Sequence, residues 1–334
     1  MFRYFGSKAS TASLVADLAL DGMGLATAAD AFGGLGNIGA EFKKRGCAVT
    51  TCDVLSFPNA FQHVRISCMS EPDFSYLKRK LGVSHNNELL MQLNNTVSTS
   101  PWFVREYSSK RAFFTAGNAA KIGGAWRQIG IWKKMQWINL NEEKYLVASL
   151  LNSMDSVANT AGTYYAYLKE WDRKSLRNFS FQWFDGVTDG IPGTAVQADA
   201  LSYLSGKSFD VLYLDPPYNN RDYSRYYHLP ETLAKLKPVK IDGASKSGLP
   251  LVRPSEGKEI RDAMKLPYLL ELINSVCWSR LVLQYADGAY ISICDLEKAL
   301  SQLGSLRIHQ VSALGYQSTN GTRQQVHHVF VIDK

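Results

Sequence analysis

The chain alternates between two textures. Short, nearly continuous apolar runs recur towards both ends, and a polar, aromatic stretch separates them. The run LATAADAF (Leu25 to Phe32) has the length and continuity of a strand covered on both faces. NIGAEFKKRG then carries apolar residues at helical spacing, with Ile38 and Phe42 on one face and Gly46 as the stop. CAVTTCDV is a second buried strand, ending on Asp53. Strand, glycine turn, helix, strand predicts a βαβ unit, and therefore parallel pairing.

From residue 61 to about 190 the rhythm changes to helices and loops. FFTAGNAAKIGGAWRQIGIW predicts a helix capped by Thr115. EKYLVASLLNSMDSVAN has helical apolar spacing over Tyr145, Leu146, Leu150 and Leu151. The strand texture returns with GTAVQADAL and FDVLYLDPPY. There follow a helix near Tyr226–Leu236, a loop rich in Pro, Gly and Lys over Lys237–Lys258, and a helix in RDAMKLPYLLELINSV that must accommodate Pro267. SRLVLQYA is a further buried strand, and LRIHQVSAL with VHHVFVID predicts a closing antiparallel pair. The expected fold class is α/β, with one sheet domain over 1–60 and 190–334 and a mostly helical insertion over 61–189.

Composition adds little to this picture until charge is placed along the chain. At 334 residues, 46% hydrophobic and 20% charged, the protein is ordinary globular material. No apolar run approaches the ~20 residues of a membrane span, and MFRYFGSK lacks the apolar core of a secretory signal. The five cysteines are scattered and form no CxxC pair, which predicts buried reduced thiols in a cytoplasmic protein. The histidines form no ligand-spaced cluster, and His327 and His328, adjacent in a strand, point to opposite faces. No metal site is expected. The net charge is +7, and Pro101 to Ser180 alone holds twelve Lys/Arg against six Asp/Glu. A surplus confined to one internal segment suits a binding region for an anionic partner, nucleic acid above all.

Two stretches carry chemistry. DAFGGLG puts Gly33, Gly34 and Gly36 between a strand and a helix, where glycine permits a tight turn and close approach of a ligand. Asp53, ending the next strand, is placed to bond a ribose diol. An adenosine-containing cofactor follows from that pair, although an ordinary βα turn has the same outline. The second stretch is Asp215-Pro216-Pro217-Tyr218. An exocyclic amino group on a heteroaromatic ring is a poor nucleophile, because its lone pair is delocalised. Acceptors on both of its N–H groups pull the nitrogen towards a tetrahedral shape. The Asp215 carboxylate can supply one acceptor and the Pro216 carbonyl the other, held rigid by the Pro216–Pro217 pair. Tyr218 can stack on the ring. Such catalysis works by positioning and electrostatics. A Pro-Pro turn after a strand accounts for the same four residues.

Taken in order, the motifs resemble those of the Dam-like (α-group) N6-adenine DNA methyltransferases. RYFGSK resembles that family's N-terminal aromatic-Gly-Lys motif, DAFGGLG its cofactor loop, CDV its ribose acid, VQADAL the segment whose Asp bonds the cofactor adenine, and DPPY its catalytic tetrapeptide. NNRDYSRYYHLPETLAKL, RAFFTAGNAAKI and ANTAGTYYAYLKEW further resemble a restriction–modification subgroup. The resemblance implies a Rossmann-like methyltransferase sheet with helices on both faces, and a target-recognition region in the basic insertion. It implies S-adenosylmethionine held by Tyr4, Lys8, Phe32, Gly34, Gly36, Asp53, Asp199 and Asp215, and a flipped adenine held by Asp215, Pro216, Pro217 and Tyr218. Arg105, Lys110, Arg111, Lys121, Arg127, Lys133 and Lys134 are the candidates for phosphate contact, each with a solvated helix face as the alternative. Trp102, Phe113, Phe114 and Trp126 are expected in the core. RYYH (Arg225 to His228) suits the rim of the site or the core equally. QYADG (Gln284 to Gly288) departs from the subgroup's usual Tyr-Asn-Ser-Glu-like segment, and VKIDGASKSGLPLVRP matches its loop only loosely.

The partners implied are double-stranded DNA and a cognate restriction endonuclease, unless the enzyme is an orphan. A monomer or weak dimer is expected, without a membrane. Three alternatives stay open at this point. N4 of cytosine, or adenine in RNA, would use the same tetrapeptide. A protein glutamine methyltransferase would carry Asn at position 215 and would not need the basic insertion. A non-catalytic DNA-binding protein of the same fold should have lost the glycines or the carboxylate, and this chain has kept both.

Overall fold

The computed structural model describes residues 2–96, 100–219, 222–252, 258–318 and 321–334, with the side chains of 258–259 and 313–325 outside the description. The chain forms two compact units. One comprises Met1–Tyr4, Ser70–Gly186 and Tyr223–Pro254, the other Phe5–Met69, Val187–Asp222 and Ser255–Lys334. The break expected at residue 61 therefore falls at 70. The segment 223–254, read from the sequence as part of the sheet domain, packs with the helical unit instead.

The second unit holds a seven-stranded sheet of β1 (Thr27–Asp30), β2 (Ala48–Asp53), β3 (Thr194–Gln197), β4 (Ser208–Leu214), β5 (Cys277–Ala286), β6 (Ser305–Ser318) and β7 (Gly321–Asp333). Their order is β3-β2-β1-β4-β5-β7-β6. The first five strands run parallel, and β7 enters antiparallel between β5 and β6. This is the Rossmann-like arrangement the motifs implied. Strand residues alternate between two cores, as a sheet covered on both sides requires. Ala29, Leu212, Leu214, Leu281, Leu283 and Ile332 face the helices Ala200–Leu204, Leu266–Ser275 and Ile293–Leu300. Ala28, Val49, Val211, Val282 and Val331 face the helices Ala12–Leu20 and Asn37–Lys44. Strand order reverses between β1 and β4, so a crevice opens beyond their carboxyl ends, where open α/β sheets take their ligands.

The first unit is helical. Its longest elements are Ala116–Lys134, with Thr115 Oγ1 accepting from the Asn118 amide at 3.3 Å, and Leu140–Asp155, opened by an Asn139/Glu142 capping box. Phe103, Tyr107, Phe113, Phe114 and Trp126 are buried together, Trp102 is partly buried, and Tyr227 and His228 of RYYH lie in the core. The helix expected near Tyr226–Leu236 is two, Tyr223–Tyr226 and His228–Ala234, parted by Tyr227 at φ −122°. The last two residues of the loosely matched segment after it, 253–254, lie outside the described residues. Three cysteines are buried as expected, but Cys277 and Cys294 are exposed, one at the start of β5 and one in the first turn of an amphipathic helix.

Candidate active site

The glycine loop joins the carboxyl end of β1 to the helix Asn37–Lys44. The Gly33 amide donates to Cys52 O at 2.9 Å and the Gly36 amide to Gly33 O at 2.7 Å, which folds the loop against β2. Gly34 and Gly36 have φ of 50° and 77°, the left-handed region that penalises a side chain. Gly33 is demanded by space: a Cβ there would stand 2.0 Å from Thr51 Oγ1 and 2.7 Å from Gln62 Nε2. The buried Gln62 amide itself donates to Gly34 O at 2.9 Å and pins the turn.

Beyond β4 comes Asp215. Its Oδ2 is ion-paired with Lys8 Nζ at 2.7 Å, and its Oδ1 accepts the Tyr218 hydroxyl. Lys8 also donates to Gly6 O at 2.9 Å and lies 4.8 Å from the centre of the Tyr218 ring. Burial pushes the Asp215 carboxyl up, and Lys8 and Tyr218 pull it part of the way back. Pro216 is buried, and the Tyr218 carbonyl accepts from the Tyr290 amide at 2.9 Å, so the tetrapeptide is held at both ends.

The remaining expected acids stand at neighbouring strand ends. Asp53 closes β2, with Oδ1 accepting from the Leu55 amide at 2.9 Å. Asp199 follows β3 and caps the helix Ala200–Leu204 through the Ser202 amide at 3.0 Å. Phe32 packs its ring 6.5 Å from Tyr268, whose hydroxyl reaches Asp199 Oδ1 at 3.5 Å. Gly34, Gly36, Phe32, Asp53, Asp199, Asp215 and Lys8 therefore all belong to the sheet unit. Tyr4 does not: it belongs to the helical unit, where its ring packs 5.8 Å from Tyr223 and 5.1 Å from Tyr227.

Four polar residues that sequence reasoning passed over complete the site. Asp30, the last residue of β1, is 1% exposed, and neither carboxyl oxygen has a full hydrogen bond. Burial, then the charges of Asp215 and Asp53, raise it to about 7 against the weaker pull of the Gly39 amide and Lys8. Tyr213 on β4, Gln284 on β5 and His327 on β7 share one face of the sheet. The Tyr213 hydroxyl donates to Gln284 Oε1 at 2.8 Å, Gln284 Nε2 meets His327 Nδ1 at 3.3 Å, and His327 Nδ1 lies 3.5 Å from the Tyr218 hydroxyl. Their one signal in the sequence is a polar residue at an inward position of an otherwise apolar strand.

Residues 4–246 match the family described as D12 class N6 adenine-specific DNA methyltransferase. The chain belongs to that family. It is 30% identical over 305 residues to the type II methyltransferase M.FokI of Planomicrobium okeanokoites, covering 89% of this chain and 46% of the relative. Modification methylase StsI of Streptococcus sanguinis matches at 28% over the same shares. The type II methyltransferase M.NlaIII of Neisseria lactamica matches at 27%, covering 84% of this chain and 81% of the relative. The chain thus spans about half the length of the first two relatives.

In this D12 chain the candidate phosphate-binding residues divide into two groups. Arg105, Lys110 and Arg111 converge on the buried Glu106 at 2.8, 3.2 and 2.7 Å, and hold its carboxyl down at about 2 against the opposing effect of burial. Arg111 is itself buried, and its guanidinium also donates to Ser245 O at 3.2 Å. It ties the helical unit together from within. Lys121, Arg127, Lys133 and Lys134 are exposed along the helix Ala116–Lys134, with Lys133 paired to Glu143 at 2.7 Å. No helix among the described residues is long and apolar enough to cross a membrane.

Proposed function

We propose that this chain transfers a methyl group from S-adenosylmethionine to the N6 amino nitrogen of an adenine flipped out of double-stranded DNA. The observation that carries the reading is the position of Asp215-Pro216-Pro217-Tyr218 directly after β4, beside the glycine loop after β1, at the strand-order reversal of one sheet. Family membership supports it. The residues present fit the cofactor. Asp53 and Asp199 are acceptors at adjacent strand ends, Phe32 offers an apolar ring, and Asp30, Asp53 and Asp215 outnumber Lys8, which suits a cation. Asp30 supports this most directly, as a buried carboxyl without a full partner.

The bound cofactor supplies an electrophilic methyl group on sulfonium sulfur. The chain's own residues prepare the acceptor. Asp215 and the Pro216 carbonyl accept hydrogen bonds from the two N6–H groups and direct the nitrogen lone pair outwards, while Tyr218 holds the ring plane. The raised affinity of Asp215 for protons makes it the stronger acceptor. Flipping costs a few kcal/mol, offset by contacts from the flipped base and from phosphates.

The helical unit is assigned target recognition, with Lys121, Arg127, Lys133 and Lys134 on phosphate and Tyr4 contributing to the cofactor. The names of the relatives support a modification role in a type II restriction system; the reading places the chain in the cytoplasm as a monomer or weak dimer, beside a cognate endonuclease or as an orphan. The test is methyl transfer from labelled cofactor to unmethylated genomic DNA, read as nucleosides by mass spectrometry. N6-methyladenine with wild type, lost by a factor of about 1,000 or more in Asp215→Ala, is the expected result. N4-methylcytosine would change the target and keep the mechanism; no methylated base would sink the reading.

A further inference from the structure

Arg225 lies in the short helix Tyr223–Tyr226, half-buried, and its Nε is sealed from water without a hydrogen-bond acceptor. No carboxylate among the described residues pairs with it. Other cations of the helical unit have theirs: Arg3 meets Asp155 at 3.1 Å, Arg111 meets Glu106 at 2.7 Å and Lys235 meets Glu231 at 3.1 Å. Leaving a guanidinium N–H out of water unbonded costs free energy. The chain bears that cost while packing holds the stem, and the two Nη groups are left as a planar fork for an anion from outside.

The next residue, Tyr226, stacks on Tyr165, with ring centres 5.0 Å apart and planes 20° from parallel. Tyr165 is 47% exposed, and Tyr226 is its one ring neighbour among the described residues. The stack is braced from behind. The Tyr164 amide donates to Tyr226 O at 2.7 Å, and the Tyr164 hydroxyl donates to Asp155 Oδ1 at 2.9 Å. His228 Nε2 donates to Tyr164 O at 2.9 Å, and burial holds that imidazole neutral down to about pH 4. A ring so fixed loses little freedom when something stacks on it. With one face on Tyr226, Tyr165 has one face to offer.

A base within an intact duplex has both faces covered. When an adenine leaves the stack, the base beside it on the same strand is left with one bare face. The surroundings suit nucleic acid: Lys169, Arg173, Lys174 and Arg177 outnumber Glu170 and Asp172 in the segment after Tyr165, and Arg225 follows Tyr218 by seven positions in the chain. We propose that Arg225 and the Tyr165–Tyr226 stack form a DNA contact of the helical unit. The guanidinium takes a backbone phosphate, and the Tyr165 ring caps the base next to the flipped adenine. The contact rests on the reading of the chain as an adenine methyltransferase of duplex DNA. It would hold the gap open by replacing the stacking that flipping removes.

The experiment measures binding by fluorescence anisotropy, with the demethylated cofactor present. The probe is a duplex bearing the sequence around an adenine that wild type methylates in genomic DNA. Tyr165→Leu should bind about tenfold more weakly, and Tyr165→Phe, which keeps the ring, like wild type. On duplexes made abasic on one side of the target and then on the other, wild type and Tyr165→Leu should bind alike in one of the two, because the ring has lost its base. Arg225→Ala should lower the log–log salt slope by about one, and Arg225→Lys should restore it. Thermal melts of the four variants should match wild type, since both side chains reach solvent. Wild-type affinity in Tyr165→Leu, a loss of equal size on both abasic duplexes, or an unchanged slope in Arg225→Ala overturns the proposal. Methyl transfer by wild type with these variants unaffected counts against the contact alone, whereas no transfer by wild type removes the reading of the function and this inference with it.

Discussion

A carboxylate that ends a buried strand stands out because no ladder or apolar neighbour accounts for its charge, which is how Asp53 and Asp215 were legible. Asp30 carries the same signal but sits inside the run of alanines that marks β1, so the pattern absorbed it. His327 and Gln284 were illegible as site residues because their partners are remote in sequence, Tyr218 lying 109 positions before His327. Asp30 also has a measurable consequence. Its pKa is raised from 3.8 to about 7. The share of stability it carries is fully present below about pH 4, where both states hold the proton, and is lost as pH rises through about 7. The gap of about three pH units corresponds to a few kcal/mol at ~1.4 kcal/mol per unit. Denaturation of the cofactor-free protein should therefore show stability falling between pH 4 and 7. Asp30→Asn, which cannot ionise, should flatten that slope; an unchanged slope would refute the assignment.

Elements with a full apolar period were read correctly: the long helix with its Thr115 cap, the buried strands β1, β2, β4 and β5, and the closing hairpin. The single helix expected over RDAMKLPYLLELINSV is broken at 263–265: one helix ends at Asp262 and another starts at Leu266, one residue before Pro267, where a missing N–H costs nothing. The helix Ala12–Leu20 went unread, since nine residues between Ser, Thr and Gly punctuation give little periodicity. The π-helical turns His63–Ser67 and Arg105–Ser109 have no pattern in sequence, because a widened turn is set by packing. The glycine turn illustrates how an element tolerates change. Gly33→Ala should lower stability by about 1–3 kcal/mol and weaken cofactor binding, because its methyl meets Thr51 and the buried Gln62. Gly117→Ala faces open space in the first turn of its helix and should gain up to ~1 kcal/mol. Thermal melts and cofactor titrations of the two variants check both.

For the whole molecule, sequence separated a sheet region from a basic insertion, but it could not assign 223–254 to the helical unit, which depends on contacts such as Trp126 Nε1 to Leu233 O at 3.0 Å. Charge placement gives an expected outcome at this scale. DNA affinity should fall steeply with salt, and Arg127→Ala and Lys134→Ala, seven residues apart on one helix face, should each reduce the log–log slope by about one. Arg111→Ala should leave the slope alone and destabilise the protein by about 3 kcal/mol, since Glu106 would lose its buried partner. Salt titrations beside thermal melts separate the two classes. The sheet also has a history in time. β7 follows all the other strands in the sequence yet lies between β5 and β6. During synthesis β5 therefore keeps an unpaired apolar edge until residues 321–333 leave the ribosome, and the imidazole on β7 arrives with that last insertion. A nascent chain is thus sticky and incomplete at the same moment, and both conditions end in one step.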